Sequence, residues 1–247
     1  MLVLLFPVIG RAFMLILRTE NAFFFWVRME IFMFFSLLII KKERLLYFTV
    51  QTTAGLLILG GLVLSSTFLL QVGLMVKLGM FPFQYWVIGV LNSNPTTVIL
   101  TLLFPAKLPL YSWRNGNLIL VRALFTIMVG AMLAIFNNNL KQILIARSVT
   151  STGILVLCSI KDIFNSFFWF YLVSFFFLLI SSTKLKHGNS VLFRLRIFNI
   201  IGFPPLPMFF AKVSLLGTLQ ADPFLLGFTT LIFLVASLYY IKLLKWV

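Results

Sequence analysis

The chain has 247 residues, of which 62% are hydrophobic and 10% are charged, and its formal net charge is +15. A soluble domain carries roughly a quarter charged residues because most of its surface contacts water, so this composition excludes an ordinary soluble fold. Membrane β-barrels are excluded too, because their strands alternate polar and apolar residues over only about ten positions, and the apolar runs here are longer. A bundle of transmembrane helices remains, since each helix satisfies its backbone groups within one segment.

The distribution of basic residues favours a membrane protein over a nucleic-acid-binding protein. Lysine and arginine cluster between the apolar segments, which is typical of the positive-inside signal. Cys158 is the only cysteine and His187 the only histidine. We therefore expect no disulfide, iron–sulfur cluster, haem or other metal site, and no cofactor, within this chain. We also expect no cleaved signal or transit peptide, because the chain enters an apolar segment at once.

Ten apolar segments of about membrane-spanning length follow one another along the chain. They are Met1–Leu17, Ala22–Ile40, Leu45–Leu62, Leu64–Leu91, Pro95–Trp113, Leu118–Phe136, Leu140–Ile160, Ile163–Ser182, Val191–Gln220 and Pro223–Val247. Charged or polar turns such as Lys41–Arg44 and Asn92–Pro95 separate them. An even number of helices places both termini and most basic residues on one side of the membrane, as the positive-inside rule requires. The predicted fold is thus an all-α, polytopic bundle of about ten transmembrane helices.

Prolines interrupt the fourth and the ninth of these segments. Pro82 lies in the middle of the fourth, and Pro204 and Pro205 lie in the ninth. A proline ring removes a backbone donor and clashes one turn back, so both helices should kink or break at membrane depth. If residues 1–113 and 114–247 are two five-helix halves of one membrane domain, the halves have opposite orientation and the broken helices occupy matching positions. That arrangement points to an ion or substrate pathway, and a kink needed only for packing is the alternative.

Four ionisable side chains lie inside the apolar segments: Glu30, Lys77, Lys107 and Lys212. Each charge costs about 2.5–3.5 kcal/mol near the centre of a membrane helix and usually faces the bundle interior or water. Burial and a nearby carboxylate act in opposite directions on the pKa of a lysine, so a Glu–Lys pair can titrate as a unit and transfer protons. A static ion pair, or snorkelling to the interface, is the alternative, above all for Lys107 near the end of its helix.

Three arginines also lie within or beside apolar stretches: Arg28, Arg122 and Arg147. An arginine side chain hardly deprotonates in a protein. We therefore interpret all three as orienting charges or snorkelling side chains, and not as proton carriers.

Short motifs around the four charges follow one another in a fixed order along the chain. They are Trp26-x-x-x-Glu30, Tyr47-Phe48-x-x-Gln51-x-Thr53-Ala54, Lys77-Leu78-Gly79-Met80-x-Pro82-Phe83-x-x-Trp86, Lys107-Leu108, Leu140-Lys141-x-Ile143, and Gly202-Phe203-Pro204-Pro205-Leu206 with Lys212. In this order and spacing they resemble the family of NADH:ubiquinone oxidoreductase chain 2, an antiporter-like membrane-arm subunit of respiratory complex I.

The resemblance implies a proton-translocating module without a redox centre of its own, which couples NADH:ubiquinone electron transfer to proton pumping. Its key membrane charges would be Glu30 and Lys77 as a coupled pair, Lys107 as a central relay, and Lys212 as the link toward the neighbouring subunit or the exit. The resemblance further implies an obligate hetero-oligomer with other membrane-arm subunits in the mitochondrial inner membrane, with both termini on the matrix side. The family has fourteen helices and animal mitochondrial versions lack the first three; we expect this chain to lack the last as well. Anionic phospholipids are expected beside the basic loops, and nucleic acid is not.

Three departures from the family pattern leave other functions open. Gln84 stands where the family has a histidine, and a second histidine is absent from a stretch that carries Arg147 instead. The connection between the helices of Gln51 and Lys77 is also shorter than usual, so water or hydroxyls such as Ser151 would have to carry protons at these places. The alternatives are a free-standing cation/proton antiporter, since the fold is shared, and a membrane subunit that keeps only a scaffold role.

Overall fold

The computed structural model describes residues 22–94, 117–137, 139–160 and 206–244, and isolated positions between 167 and 204. All regular secondary structure in these ranges is helical, which confirms the predicted all-α class. Three described segments are long and apolar enough to cross a membrane: Arg44–Val63, Ile119–Phe136 and Lys141–Ile160. The count of ten helices remains a prediction. The chain divides into two compact units, Met1–Ser112 and Trp113–Val247, described separately below.

The first unit contains four described helices. They are α1 (Ala22–Ile39), α2 (Arg44–Val63), α3 (Thr67–Leu78) and α4 (Tyr85–Ser93). Helix α2 packs against the other three and is the central element of this part of the unit. The α1–α2 turn is tied to the end of α4, because Asn94 Oδ1 accepts hydrogen bonds from the backbone amides of Lys41 and Lys42 at 2.8 and 3.1 Å.

Helix α3 ends in a turn whose geometry favours glycine. Gly79 follows the last helical residue with φ of +64°, in the left-handed region. Its amide donates to Val76 O at 3.1 Å, and the amide of Met80 donates to Met75 O at 3.0 Å. These two bonds form a Schellman cap, which satisfies carbonyls that have no amide partner further along the helix. Pro82 lies in the non-helical stretch that follows, and the chain resumes as a helix only at Tyr85.

The second unit contains four described helices and a short 3₁₀ turn. They are α5 (Asn117–Phe136), α6 (Leu140–Ile160), α7 (Pro207–Thr218), the 3₁₀ turn Leu219–Ala221 and α8 (Pro223–Leu244). Helices α5 and α6 pack very closely at two glycines. A Cβ atom added at Gly130 would lie 2.6 Å from Thr150 Cγ2, and one added at Gly153 would lie 2.5 Å from Ile127 Cγ1. Helix α8 contacts both α5 and α7. Small residues at such contacts let two helix backbones approach each other.

Helix α6 carries several hydroxyl groups that are buried within the second unit. Its buried polar residues include Ser148, Thr150, Ser151 and Thr152. The hydroxyl of Thr150 donates to Arg147 O at 2.8 Å, and those of Ser151 and Thr152 donate to Ser148 O at 2.9 Å. Each of these three hydroxyls donates its proton to a backbone carbonyl of α6. They can therefore be buried, because each donor has an acceptor.

The ninth predicted segment is non-helical at the described positions Phe203, Pro204 and Leu206. Helix α7 begins directly afterwards at Pro207, a residue that suits the first position of a helix because its missing N–H has no partner there in any case. Pro205 lies outside the described residues.

Candidate functional site

A buried ion pair joins α1 to α3 in the first unit. Lys77 Nζ donates to Glu30 Oε1 at 2.7 Å, and the two side chains are 6% and 15% exposed. A lone charge in an apolar environment is strongly disfavoured, whereas two opposite charges in direct contact compensate each other in part. The structure thus brings together two of the four predicted site residues, which are 47 positions apart in the sequence.

The end of α3 that carries Lys77 is held by side chains of two other helices. Gln51 Nε2, from α2, donates to the backbone carbonyl of Lys77 at 3.3 Å. Trp86 Nε1, from α4, donates to the carbonyl of Val76 at 2.9 Å. Because α3 stops at Leu78, the carbonyls of its last turn need donors from outside the helix. Gln51 and Trp86 therefore fix the position from which the lysine side chain extends.

Helix α1, which carries Glu30, forms a hydrogen bond to α2 one helical turn before that residue. Trp26 Nε1 donates to Gly55 O at 2.8 Å, and Trp26 and Glu30 share one face of α1 at i, i+4 spacing. Further along the same two helices, the hydroxyls of Ser36 and Tyr47 lie 2.6 Å apart in the buried interior. The tryptophans and the glutamine of the sequence motifs thus hold the helices that carry the ion pair, a role that their spacing in the sequence does not reveal.

Gln84 lies just before α4, beside the interrupted part of the segment. Its Oε1 atom is buried and has no hydrogen-bond partner among the described residues. An amide oxygen accepts a hydrogen bond but does not titrate near neutral pH. Gln84 can therefore orient a donor in this region, but it cannot store a proton as a histidine would.

Lys212 lies in the second unit, beside a small cavity. The cavity has a volume of about 30 Å³, and its lining includes Lys212, Arg147, Thr150, Ser151 and Phe233. Lys212 Nζ is 5.0 Å from the centroid of the Phe233 ring, within the range of a cation–π contact. A cavity of this volume is large enough for one water molecule, although apolar side chains form most of its lining. The sequence did not indicate that Arg147 shares a cavity with Lys212, because the two residues are 65 positions apart (212 − 147).

The sequence also predicts a role for Lys107 and the absence of a metal or cofactor. Lys107 lies outside the described residues, so its position in the site stays a prediction. Among the residues that the structure describes, no group of three or more His, Cys, Asp or Glu side chains could hold a metal ion. The expected absence of a cofactor likewise stays a prediction.

Two curated relatives of this chain share the name NADH-ubiquinone oxidoreductase chain 2. No protein-family model matches the chain. It is 25% identical to NADH-ubiquinone oxidoreductase chain 2 of Albinaria caerulea, across 92% of this chain and 82% of that protein. It is also 25% identical to the chain 2 of Sylvisorex johnstoni, across 60% of this chain, and there the alignment spans only about half (52%) of the relative.

A solved structure has the same helical fold. It is respiratory complex I from Thermus thermophilus with bound aureothin, and one of its chains superposes with a TM-score of 0.81 at 18% identity. The superposition covers 95% of this chain and 67% of that chain. The two curated relatives confirm the resemblance to chain 2 that the sequence motifs predict, and the solved structure shows that the fold is shared.

Proposed function

We propose that this chain is a proton-translocating, antiporter-like membrane-arm subunit of mitochondrial respiratory complex I, of the kind named NADH-ubiquinone oxidoreductase chain 2. It couples NADH:ubiquinone electron transfer elsewhere in the complex to proton movement and carries no redox centre of its own. Its partners are the other membrane-arm subunits and anionic phospholipids of the inner membrane. About ten transmembrane helices in two inverted halves would place both termini on the matrix side.

The buried contact between Glu30 and Lys77 is the observation that carries this proposal. Both side chains are almost withdrawn from the surface, and their charged atoms are 2.7 Å apart. Two opposite charges in direct contact stabilise each other, so that loss or uptake of a proton by one changes the energy of the charge on the other. A pair of this kind can pass on an electrostatic signal and a proton within the membrane, which a wholly apolar bundle cannot.

The remaining site residues extend the proposed path. The family resemblance assigns Lys107 the role of a central relay and Lys212 the role of a link toward a neighbouring subunit or the exit. The small cavity beside Lys212, with the hydroxyl-bearing face of α6 in its lining, supports that role because a water molecule there could exchange protons with the lysine.

The test compares Glu30→Gln and Lys107→Ala in the intact complex, purified and reconstituted in lipid vesicles. Proton uptake is measured per NADH oxidised. Both substitutions remove a titratable group, so both should lower the number of protons moved per NADH. Lys42→Ala, an exposed lysine in the α1–α2 turn, is the control and should leave that number unchanged. Unchanged pumping in both Glu30→Gln and Lys107→Ala would exclude the proposed role.

A further inference from the structure

Gly55, on α2, lies where the side chain of Glu30 passes from α1 toward Lys77. A Cβ atom added at Gly55 would overlap Glu30 Oε1 and would lie 3.0 Å from Glu30 Cδ and 3.3 Å from Oε2. The three heavy atoms nearest to that Cβ all belong to the same carboxyl group. The space that any other residue would fill with its side chain is therefore occupied by the Glu30 carboxylate.

The backbone of Gly55 also holds the helix from which Glu30 extends. Its carbonyl accepts the hydrogen bond from Trp26 Nε1 at 2.8 Å. Trp26 lies one helical turn before Glu30, on the same face of α1. One residue of α2 thus contacts α1 twice, through its carbonyl at Trp26 and through its bare Cα at Glu30.

Lys77 reaches the same carboxylate from α3, which also packs against α2. A Cβ at Gly73 would lie 2.7 Å from Ile58 Cγ1 and 2.9 Å from Ala54 O, so the backbone of α3 is very close to that of α2. Lys77 is one turn beyond Gly73 on the same face of α3. This close approach brings Nζ to the carboxylate that rests on Gly55.

We propose that Gly55 is a positioning residue of the Glu30–Lys77 pair, whose missing side chain forms the recess that holds the carboxylate within 2.7 Å of Lys77 Nζ. The proposal rests on the proposed function, because it assigns Gly55 an effect on proton transfer through that pair. It goes beyond the four charged residues, since Gly55 itself neither titrates nor touches a transferred proton.

The geometry predicts an effect on the ion pair and little effect on the fold when Gly55 becomes alanine. The atoms nearest to the new methyl group lie at the end of a flexible side chain, which can move without a shift of either backbone. An ordinary contact with the methyl group requires at least 3.4 Å, so the carboxylate must leave its present position. Misplacement of a reacting group by about 1 Å can lower a rate by about a hundredfold, and a loss of about tenfold in pumping is the expected scale here.

The experiment compares Gly55→Ala with Gly60→Ala in the intact, reconstituted complex. Gly60 lies on the same helix, and a Cβ there would meet no atom within 4 Å. Assembly, the rate of proton uptake, protons moved per NADH oxidised, and a density map of each variant are measured, with Glu30→Gln as the reference. We expect both glycine variants to assemble, Gly55→Ala alone to lose pumping, and its map to show the Glu30 carboxylate moved away from Lys77 Nζ with α1 and α2 in place.

The other outcomes separate this inference from the proposed function. If Glu30→Gln lowers pumping while Gly55→Ala pumps like Gly60→Ala, the inference about Gly55 is wrong and the proposed function stands. If Glu30→Gln itself pumps normally, the Glu30–Lys77 pair has no role in pumping and the role of Gly55 fails with it, while the proposed function fails only if Lys107→Ala pumps normally as well. A Gly55→Ala chain that does not assemble, or whose carboxylate keeps its place, would also overturn the inference, because Gly55 would then serve backbone packing.

Discussion

Glu30 and Lys77 illustrate what a charged residue needs inside an apolar bundle. Each is costly alone, and each reaches the other across the helices that carry them, with 2.7 Å between charged atoms. Such a pair gives little net stability, since the energy spent on dehydrating two charges offsets most of their attraction. Its presence in an otherwise apolar part of the molecule is therefore better explained by function than by folding.

The coupling of the two charges predicts a non-additive effect on stability. Lys77→Met leaves the Glu30 carboxylate buried without its partner, which should cost about 3–5 kcal/mol. Adding Glu30→Gln removes the uncompensated charge, so the double variant should be more stable than Lys77→Met alone. The measurement is the fraction of assembled complex that survives heating, with the exposed Lys42→Met as a control. A double variant no more stable than Lys77→Met would contradict the coupling.

Residues of α2, α3 and α4 together form the end of α3, beside the interruption at Pro82. Helix α3 stops in a turn at Gly79, and the carbonyls of its last turn receive hydrogen bonds from Gln51 on α2 and Trp86 on α4. Since both donors are buried side chains of neighbouring helices, the interruption is part of the packed core. The lysine at this end is consequently held by the packing of the unit.

A substitution at Gly79 should weaken this element more than the same change in a regular helix. Gly79→Ala places a side chain in the left-handed region, which costs about 1–2 kcal/mol, and the new Cβ would overlap Val87 Cγ2. Gly227→Ala, on α8, meets no atom within 4 Å and should be neutral or slightly stabilising. The comparison is made by heat inactivation of the assembled complex. Equal stability of the two variants would show that the turn does not depend on glycine.

The regular structure in the described parts of the chain is helical, and the fold matches a chain of a respiratory complex from Thermus thermophilus over 95% of this chain's length. Many large apolar side chains lie exposed on the described helices, for example Phe34, Leu38 and Phe48 on α1 and α2. Apolar faces of this kind suit lipid or neighbouring membrane subunits, and they do not suit water. The proposed assembly into complex I accounts for them.

The size of the assembly that contains this chain distinguishes a subunit of complex I from a free-standing antiporter. After solubilisation in a mild detergent, the chain should migrate with a large multi-subunit complex that oxidises NADH, because its partners cover part of its apolar surface. The measurement is native electrophoresis with an in-gel activity stain, followed by identification of this chain in the band. Recovery of the chain alone, with cation/proton exchange activity in vesicles, would favour the antiporter.

The sequence by itself determined the class of the protein, because composition, hydropathy and helix-breaking residues act locally. It was enough to predict membrane helices, an interruption near Pro82, and four charges placed where a bilayer makes them costly. The described helix boundaries at Leu78 and Tyr85 lie on either side of that proline.

Which groups meet depends on how the helices pack, and of the contacts described here the family resemblance predicted only the pairing of Glu30 with Lys77. The pairing of Glu30 with Lys77, the recess at Gly55 and the shared cavity of Arg147 and Lys212 each join residues that are 25 or more positions apart in the sequence. Such contacts depend on how closely two helices pack and on which faces they present to each other. The distance between two helices and the faces that meet depend on many side-chain contacts together. A local pattern of residues does not specify either of them.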